Sequence, residues 1–142
     1  MPEDCEVPLS NATEGEIAEI LRTAKIIAVV GLSPKPDRPS HSVTVYMMQQ
    51  GYTIIPVNPG QNEILGKKSY KSLLDVPGPI DIVNIFREPS AVPEIVDQAI
   101  AKKAKVIWMQ EGIVHNAAAE KARAAGLRVV MNKCLFKEHV RL

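Results

Sequence analysis

Residues 26–33 read IIAVVGLS, which is five apolar residues, four of them β-branched, followed by a glycine and a serine. A short, continuously apolar run that ends at a glycine is typical of a strand buried on both faces of a parallel sheet. The four residues TEGE at 13–16 precede this run and form a capping-box sequence, which predicts the start of a leading helix. The first apolar run is therefore expected to be a buried strand that enters a loop at Gly31.

Similar runs recur along the chain, and each is followed by a segment with helical spacing. Their starts lie 27, 28, 24 and 23 residues apart. Alternating units of this kind predict one Rossmann-like, doubly wound α/β domain, in which a five-stranded parallel sheet is flanked by helices. We expect this domain at residues 13–142, a flexible N-terminus at 1–12, and an irregular tail after Asn132. The five predicted strands are Ile26–Val30, Thr53–Val57, Asp81–Ile85, Lys105–Met109 and Arg128–Met131.

Composition excludes several classes of protein. The chain of 142 residues has 17 Lys and Arg and 16 Asp and Glu, so its charge of +1 does not predict nucleic-acid binding. Six of the acids fall within residues 1–25, which leaves 15 bases and 10 acids in the remainder, a balance that favours an anionic ligand. No apolar run approaches the 18 or so residues that cross a membrane. Two distant cysteines, Cys5 and Cys134, favour a reduced, cytoplasmic protein.

The loops after the strands are the candidate binding residues, because ligands of open α/β sheets sit at the carboxyl ends of the strands. A glycine there lets a ligand approach the backbone, and a helix start with nearby bases suits phosphate. The second strand ends at Asn58 rather than at the carboxylate that holds the ribose of NAD, and the first loop lacks G-x-G-x-x-G. NADP and coenzyme A remain possible ligands. The first loop supplies Gly31, Ser33, Lys35, Arg38 and Ser40.

Two kinds of catalytic site lack support in the sequence. Gly31-Leu32-Ser33 resembles half of a nucleophile elbow, but Pro34 and Lys35 replace the remaining elements of G-x-S-x-G. The three histidines lie far apart and show no metal-ligand spacing. We therefore expect no catalytic nucleophile and no metal site.

Five strand-end segments, taken together, resemble those of the CoA-binding domain family, which comprises small stand-alone proteins similar to the amino-terminal domain of the succinyl-CoA synthetase alpha subunit. The resemblance covers about residues 13–142, and its most specific parts are Asn-Pro after the second strand and Glu-Gly-Ile after the fourth. The segments are Val30-Gly31-Leu32-Ser33, Ile55-Pro56-Val57-Asn58-Pro59, Asn84-Ile85-Phe86-Arg87, Gln110-Glu111-Gly112-Ile113 and Met131-Asn132-Lys133-Cys134.

The resemblance implies that the chain binds coenzyme A or an acyl-CoA at the carboxyl edge of the sheet. The first loop would hold the pyrophosphate, and Asn58 and Pro59 would flank the adenosine end. Phe86 and Arg87 would form a wall of the cleft. Glu111, Gly112 and Ile113 would meet the pantetheine arm, and Cys134 would lie near its thiol.

The sequence departs from the family in two respects. Members often carry a lysine after Asn-Pro that reaches the ribose phosphate, but Gly60 and Gln61 stand there, so Lys35, Arg38, Lys67 or Lys68 would have to substitute. The synthetase also needs a second domain with a phosphorylated histidine, for which this sequence has no residues left, so we expect no ligase activity from the chain alone.

Three other interpretations remain open. Cys134, beside Lys133, could exchange with a CoA thiol or thioester if it ionises to the thiolate. The chain could instead be a nucleotide-binding subunit of a larger complex, or an NADP-binding protein. A homodimer or a partner protein is possible in each case, whereas no nucleic-acid or membrane partner is expected.

Overall fold

The architecture is known from a computed structural model, which describes residues 6–142. The strands are β1 (Ile26–Val30), β2 (Thr53–Val57), β3 (Glu63–Ile64), β4 (Lys67–Lys68), β5 (Ile82–Ile85), β6 (Val106–Met109) and β7 (Arg128–Val130). The helices are α1 (Glu14–Thr23), α2 (Pro39–Gln49), α3 (Val92–Ala101), α4 (Asn116–Ala124) and α5 (Leu135–Val140). Two short 3-10 turns, at Leu73–Asp75 and Pro89–Ala91, complete the elements.

Five parallel strands form the main sheet in the order β2-β1-β5-β6-β7, while β3 and β4 form a separate antiparallel hairpin. The predicted Rossmann-like fold, its five-stranded parallel sheet and its leading helix are therefore confirmed. The order of the strands reverses at β1, whose neighbours are β2 on one side and β5 on the other. This reversal creates a switch point at which the loops after β1 and β5 diverge to opposite faces of the sheet.

Alternate residues of each strand pack on opposite faces of the sheet. Ile27 and Val29 of β1 contact the cluster formed with α1, α2 and α5, which we call the α2/α5 face. Ala28 and Val30 contact the cluster formed with α3 and α4, which we call the α3/α4 face. Both clusters are buried, which explains why the strands are mostly apolar on both faces rather than alternating; Asn84 of β5 is a buried polar exception.

The leading helix begins as the sequence predicts. The Thr13 hydroxyl accepts a hydrogen bond from the backbone N–H of Glu16, and the Glu16 carboxylate accepts one from the backbone N–H of Thr13. The bond from the Thr13 backbone N–H is the main cause that lowers the pKa of the Glu16 carboxyl. The reciprocal pair satisfies two backbone donors that would otherwise be free at the start of α1.

The tail after Asn132 is not irregular, and this expectation was wrong. Residues Leu135–Val140 form α5, and Leu135 is fully buried on the α2/α5 face. The buried Gln110 side chain accepts a hydrogen bond from the backbone N–H of Leu135, at 3.1 Å. Six residues are too few to display helical periodicity, so tertiary contacts rather than local sequence define this helix.

Residues 6–12 lie along α4 and the end of β7. The Asn11 side chain donates to the carbonyl oxygen of Met131 and accepts from the backbone N–H of the same residue, both at 2.9 Å. The Asn116 side chain and backbone bond to Glu6, Val7 and Leu9. A flexible N-terminus stays a prediction, and residues 1–5 of that range lie outside the described part of the chain. Within residues 6–142, no helix combines the length and apolar character needed to span a membrane.

Asp81 connects the start of β5 to the start of β1. Its Oδ2 accepts hydrogen bonds from the backbone N–H groups of Lys25 and Ile26, both at 2.9 Å, and Lys105 Nζ lies 3.3 Å from Oδ1. Burial acts to raise the pKa of this carboxyl, but the two backbone bonds and the ammonium of Lys105 outweigh it, so the pKa is lowered. Asp81 is thus a charged acceptor inside the fold.

We expect Asp81→Asn to lower the free energy of unfolding by about 1.5 kcal/mol at neutral pH, because the two N–H groups lose a charged acceptor. The folded pKa lies below the unfolded value, so the charge stabilises the protein above the unfolded pKa and ceases to do so as the pH falls through the folded pKa. Urea denaturation should therefore show the difference at neutral pH and a smaller one in acid. Asp97→Asn is the control, because Asp97 is 54% exposed and pairs with Lys121 at the surface. Equal losses in both variants would contradict the prediction.

Candidate functional site

The carboxyl ends of the central strands lie in one row. Val30 pairs with Val57 of β2 and with Ile85 of β5, and Ile85 pairs with Met109 of β6. The next residue of each strand therefore stands at the same edge, with Gly31 N–H bonded to the Val57 carbonyl at 3.0 Å. The sheet itself thus brings the loops that follow these strands together.

A cleft of ≈570 Å³ opens at this edge, over the ends of β1 and β2 and against the start of α3. We call it the switch-point cleft. Its volume is in the range of sites for small molecules and cofactors. The residues that line it are Val30, Gly31, Val57, Asn58, Pro59, Lys71, Ser72, Arg87, Ala91, Glu94, Ile95 and Gln98.

Gly31 lines the cleft in a left-handed backbone conformation, with φ +89°. A Cβ at this position would lie 2.5 Å from the carbonyl oxygen of Phe86 and 3.0 Å from Cδ of Arg87. Glycine at position 31 therefore allows the residues at the end of β5 to pack directly against its backbone. Glycine is needed here by the chain itself, whether or not a ligand also uses the space.

Asn58 joins two loops at the edge of the cleft. Its amide group donates to the carbonyl oxygen of Leu32 at 2.9 Å, and its Oδ1 accepts from the backbone N–H of Gly60 at 2.8 Å. Its backbone carbonyl accepts from the Ser69 hydroxyl at 3.1 Å. Asn58 is consequently a clamp that fixes the first loop relative to the turn at 58–61.

The first loop is ordered by its own hydroxyl groups. Ser40 Oγ accepts from the backbone N–H of Ser33 at 3.0 Å, and Ser33 Oγ accepts from the backbone N–H of Lys35 at 3.1 Å. Lys35 and Arg38 are exposed, and α2 begins at Pro39 without a side-chain cap or an acidic residue in its first turn. The positive end of the helix dipole and two bases therefore lie together, beside the cleft rather than in its lining.

The end of β5 contributes one residue to the lining. Arg87 lines the cleft, with its guanidinium 2.8 Å from the Glu88 carboxylate, and the hydrogen bond from Arg87 lowers the pKa of that carboxyl. Phe86 is half-buried and packs toward the α2/α5 face. Of the two residues expected to form a wall of the cleft, Arg87 lines it, whereas Phe86 packs toward the α2/α5 face.

The turn after β6 lies farther along the same edge. Gly112 has φ +83°, and its N–H donates to the Asn132 side chain at 2.7 Å. Glu111 is exposed and pairs with Lys137 of α5 at 2.9 Å, which raises the pKa of the lysine. Ile113 is half-buried against the α3/α4 face. These residues are not part of the lining of the switch-point cleft.

Cys134 lies on the opposite face from the cleft. It is 7% exposed and packs in the apolar cluster of the α2/α5 face, immediately before α5. A thiol buried among apolar groups is the environment of a structural cysteine, because reactivity requires an accessible thiolate. Cys5 lies outside the described residues.

Four of the thirteen predicted site residues line the cleft together, namely Gly31, Asn58, Pro59 and Arg87. The sequence did not indicate Lys71, Ser72, Glu94 or Gln98, which also line it. Lys71 and Ser72 follow the hairpin of β3 and β4. After this hairpin the chain comes back to β2, and that irregular segment shows no periodic pattern in the sequence. The adjacent Tyr70 forms a parallel bridge with Val57, and that pairing brings Lys71 to the cleft.

A second cleft, of ≈480 Å³, opens at the amino-terminal edge of the sheet between α1 and the ends of α3 and α4. Three of its four charged lining residues already have partners, since Lys105 pairs with Asp81, which also lines the cleft, and Arg128 pairs with Glu19. Ligands of open α/β sheets occupy the other edge. The switch-point cleft is therefore the stronger candidate.

The chain is similar along most of its length to several known proteins. A family model described as "CoA binding domain" matches residues 25–140. An uncharacterized protein of Bacillus subtilis (strain 168) is 44% identical over 131 residues, which are 92% of this chain and 97% of that protein. A hypothetical protein from Pyrococcus horikoshii OT3 has the same fold, with a TM-score of 0.91 and 44% identity, and the match covers 100% of this chain and 99% of that one.

One of the longer relatives is named as a subunit of an enzyme. The alpha subunit of acetate–CoA ligase (ADP-forming) I from Pyrococcus furiosus is 31% identical over 128 residues. The match covers 79% of this chain but 28% of that subunit. The chain is thus similar to part of a CoA ligase subunit.

Proposed function

This chain belongs to the CoA-binding domain family, and on that premise we propose that it binds coenzyme A or an acyl-CoA at the carboxyl edge of its sheet. The observation that carries the proposal is the switch-point cleft, whose rim holds the bases Lys71 and Arg87 and whose β2 end offers Asn58 instead of a carboxylate. A carboxylate at that position would hold the ribose of NAD and repel a ribose phosphate. The lining thus carries two bases and one carboxylate, Glu94, and this positive balance suits an anionic nucleotide.

The pyrophosphate of the ligand would lie over the loop from Gly31 to Ser40. Lys35 and Arg38 are exposed there, and the uncapped start of α2 adds its dipole. The adenosine would extend into the switch-point cleft, beside Asn58 and Pro59. The hydrogen bonds of Ser33 and Ser40 hold the loop in one shape, which reduces the ordering cost of binding.

The pantetheine arm would run along the edge toward the turn at Glu111, Gly112 and Ile113. The Glu111–Lys137 pair stands at that end of the edge and would border the arm. Because Cys134 is buried on the α2/α5 face, the proposal assigns no thiol exchange to it.

The proposed activity is binding without ligase chemistry by this chain alone. The match to the ligase subunit covers 28% of that subunit, so the rest of its length has no counterpart in the aligned residues. A partner protein or a second copy could supply further groups. A cytoplasmic location stays a prediction, as does the resemblance to the succinyl-CoA synthetase alpha subunit.

Isothermal titration calorimetry with CoA, acetyl-CoA, NADP and NAD tests the proposal. We expect heat of binding with CoA and acetyl-CoA, and an affinity for CoA at least tenfold above that for NAD. Tighter binding of NADP than of CoA would favour the NADP interpretation instead. Absence of CoA binding by the folded protein would overturn the proposed function. Native mass spectrometry of the purified protein gives an independent check, through a co-purifying mass equal to that of CoA or an acyl-CoA.

A further inference from the structure

Lys71 occupies a fixed position at the carboxyl end of β2. The preceding Tyr70 pairs with Val57, donates its N–H to the Pro56 carbonyl at 3.0 Å, and accepts from the Asn58 N–H at 2.9 Å. The following Ser72 accepts from the Leu74 N–H through its hydroxyl at 3.0 Å. Anchored residues on both sides therefore hold the backbone of Lys71 at the lining of the cleft.

The end of β2 is the position that meets the ribose in doubly wound folds, where an acidic residue selects a free hydroxyl and a base accommodates a ribose phosphate. In this chain the turn after β2 contains Gly60 and Gln61, which carry no charge. A cation for a ribose phosphate must therefore come from another segment.

The charges around this part of the cleft favour one candidate. Lys67 and Lys68 lie on β4, outside the lining, and the Lys68 ammonium sits over the Tyr70 ring at 5.2 Å. Arg87 is engaged with Glu88. Within residues 6–142, the Lys71 ammonium makes no ion pair, and Glu94 is the one carboxylate of the lining. Lys71 is thus the base in the cleft that is available to an anion.

We propose that Lys71 binds the phosphate on the adenosine ribose and thereby makes the site selective for 3′-phosphorylated ligands. This inference rests on the proposed function, because it assigns one contact within the same site. It also assigns the contact to a residue that the sequence did not indicate, in place of Lys35, Arg38, Lys67 or Lys68.

Comparison of CoA with dephospho-CoA, which lacks only the ribose phosphate, tests the proposal in calorimetry. We expect wild type to prefer CoA, and Lys71→Ala to weaken CoA roughly tenfold or more while leaving dephospho-CoA unchanged, since a charge-assisted bond is lost only with the first ligand. Lys71→Arg should retain most of the preference. Lys68→Ala is the matched control and should change neither affinity by more than about twofold.

Each alternative result has a distinct meaning. Wild type that binds CoA and dephospho-CoA equally, or a Lys71→Ala variant that binds CoA as tightly as wild type, would overturn the role of Lys71 but leave the proposed function standing. Equal weakening of both ligands would also overturn it, because it would show a general effect of charge. Wild type that binds neither ligand would overturn the proposed function and this inference together. Circular dichroism establishes that each variant is folded.

Discussion

Gly31→Ala is expected to remove about 3–5 kcal/mol of folding free energy, which is a large part of the 5–15 kcal/mol typical of a domain. The added Cβ would lie 2.5 Å from the Phe86 carbonyl oxygen, a backbone atom that cannot move without displacing the end of β5. The left-handed φ of +89° adds strain that alanine tolerates poorly. Urea denaturation followed by circular dichroism should show a midpoint far below that of wild type.

Gly51→Ala separates the two causes of this loss. Gly51 also has a left-handed φ, of +95°, but no heavy atom lies within 4 Å of the position of its Cβ. Only the backbone strain applies there, so we expect a loss of about 1–2 kcal/mol. If both variants lose the same free energy, the contact with Phe86 does not explain why position 31 requires glycine.

Asn58→Asp is expected to weaken CoA binding by about 2–3 kcal/mol, or roughly 30-fold to 150-fold. The carboxylate would face the Leu32 carbonyl, which now accepts a hydrogen bond from the asparagine amide at 2.9 Å. The clamp between the first loop and the turn at 58–61 would therefore weaken. The new negative charge would also repel the ligand phosphates.

Gln61→Glu is the control for charge in this experiment. It adds a carboxylate to the same turn but keeps both side-chain hydrogen bonds of Asn58, to Leu32 and from Gly60. Calorimetry should show a smaller loss of CoA affinity for Gln61→Glu than for Asn58→Asp. An unchanged affinity in Asn58→Asp would remove Asn58 from the proposed site.

The strands and their order of appearance could be predicted from the sequence because each is buried on both faces. Burial on both faces requires a continuous apolar run, and the run from Ile26 to Val30 shows this pattern without interruption. The edge at which Gly31, Asn58 and Arg87 meet follows from the parallel direction of the strands. That part of the candidate site could therefore be predicted from the apolar runs and the residues that follow them.

The remaining features depend on contacts between distant residues. Lys71 reaches the cleft because Tyr70 pairs with Val57, a bridge that joins positions 13 residues apart across an irregular hairpin. Cys134 follows the last strand, as expected, but the packing of α5 directs it into the α2/α5 face. Neither the position of Lys71 nor that of Cys134 has a local signature in the sequence. The first depends on the pairing of Tyr70 with Val57, and the second depends on which face of the sheet α5 packs against.

The two hydrogen bonds between Asn11 and Met131 have a consequence for self-association. Met131 directly follows β7, an edge strand, and exposed strand edges are templates on which other chains add strands. The Asn11 side chain takes both backbone groups of Met131, as a neighbouring strand would. At the opposite edge, the Tyr70 N–H donates to the carbonyl of Pro56 in β2, and the Tyr70 carbonyl accepts from the N–H of Asn58, which follows β2. With both margins partly occupied, each edge of the sheet offers fewer free backbone groups on which a second chain could add a strand.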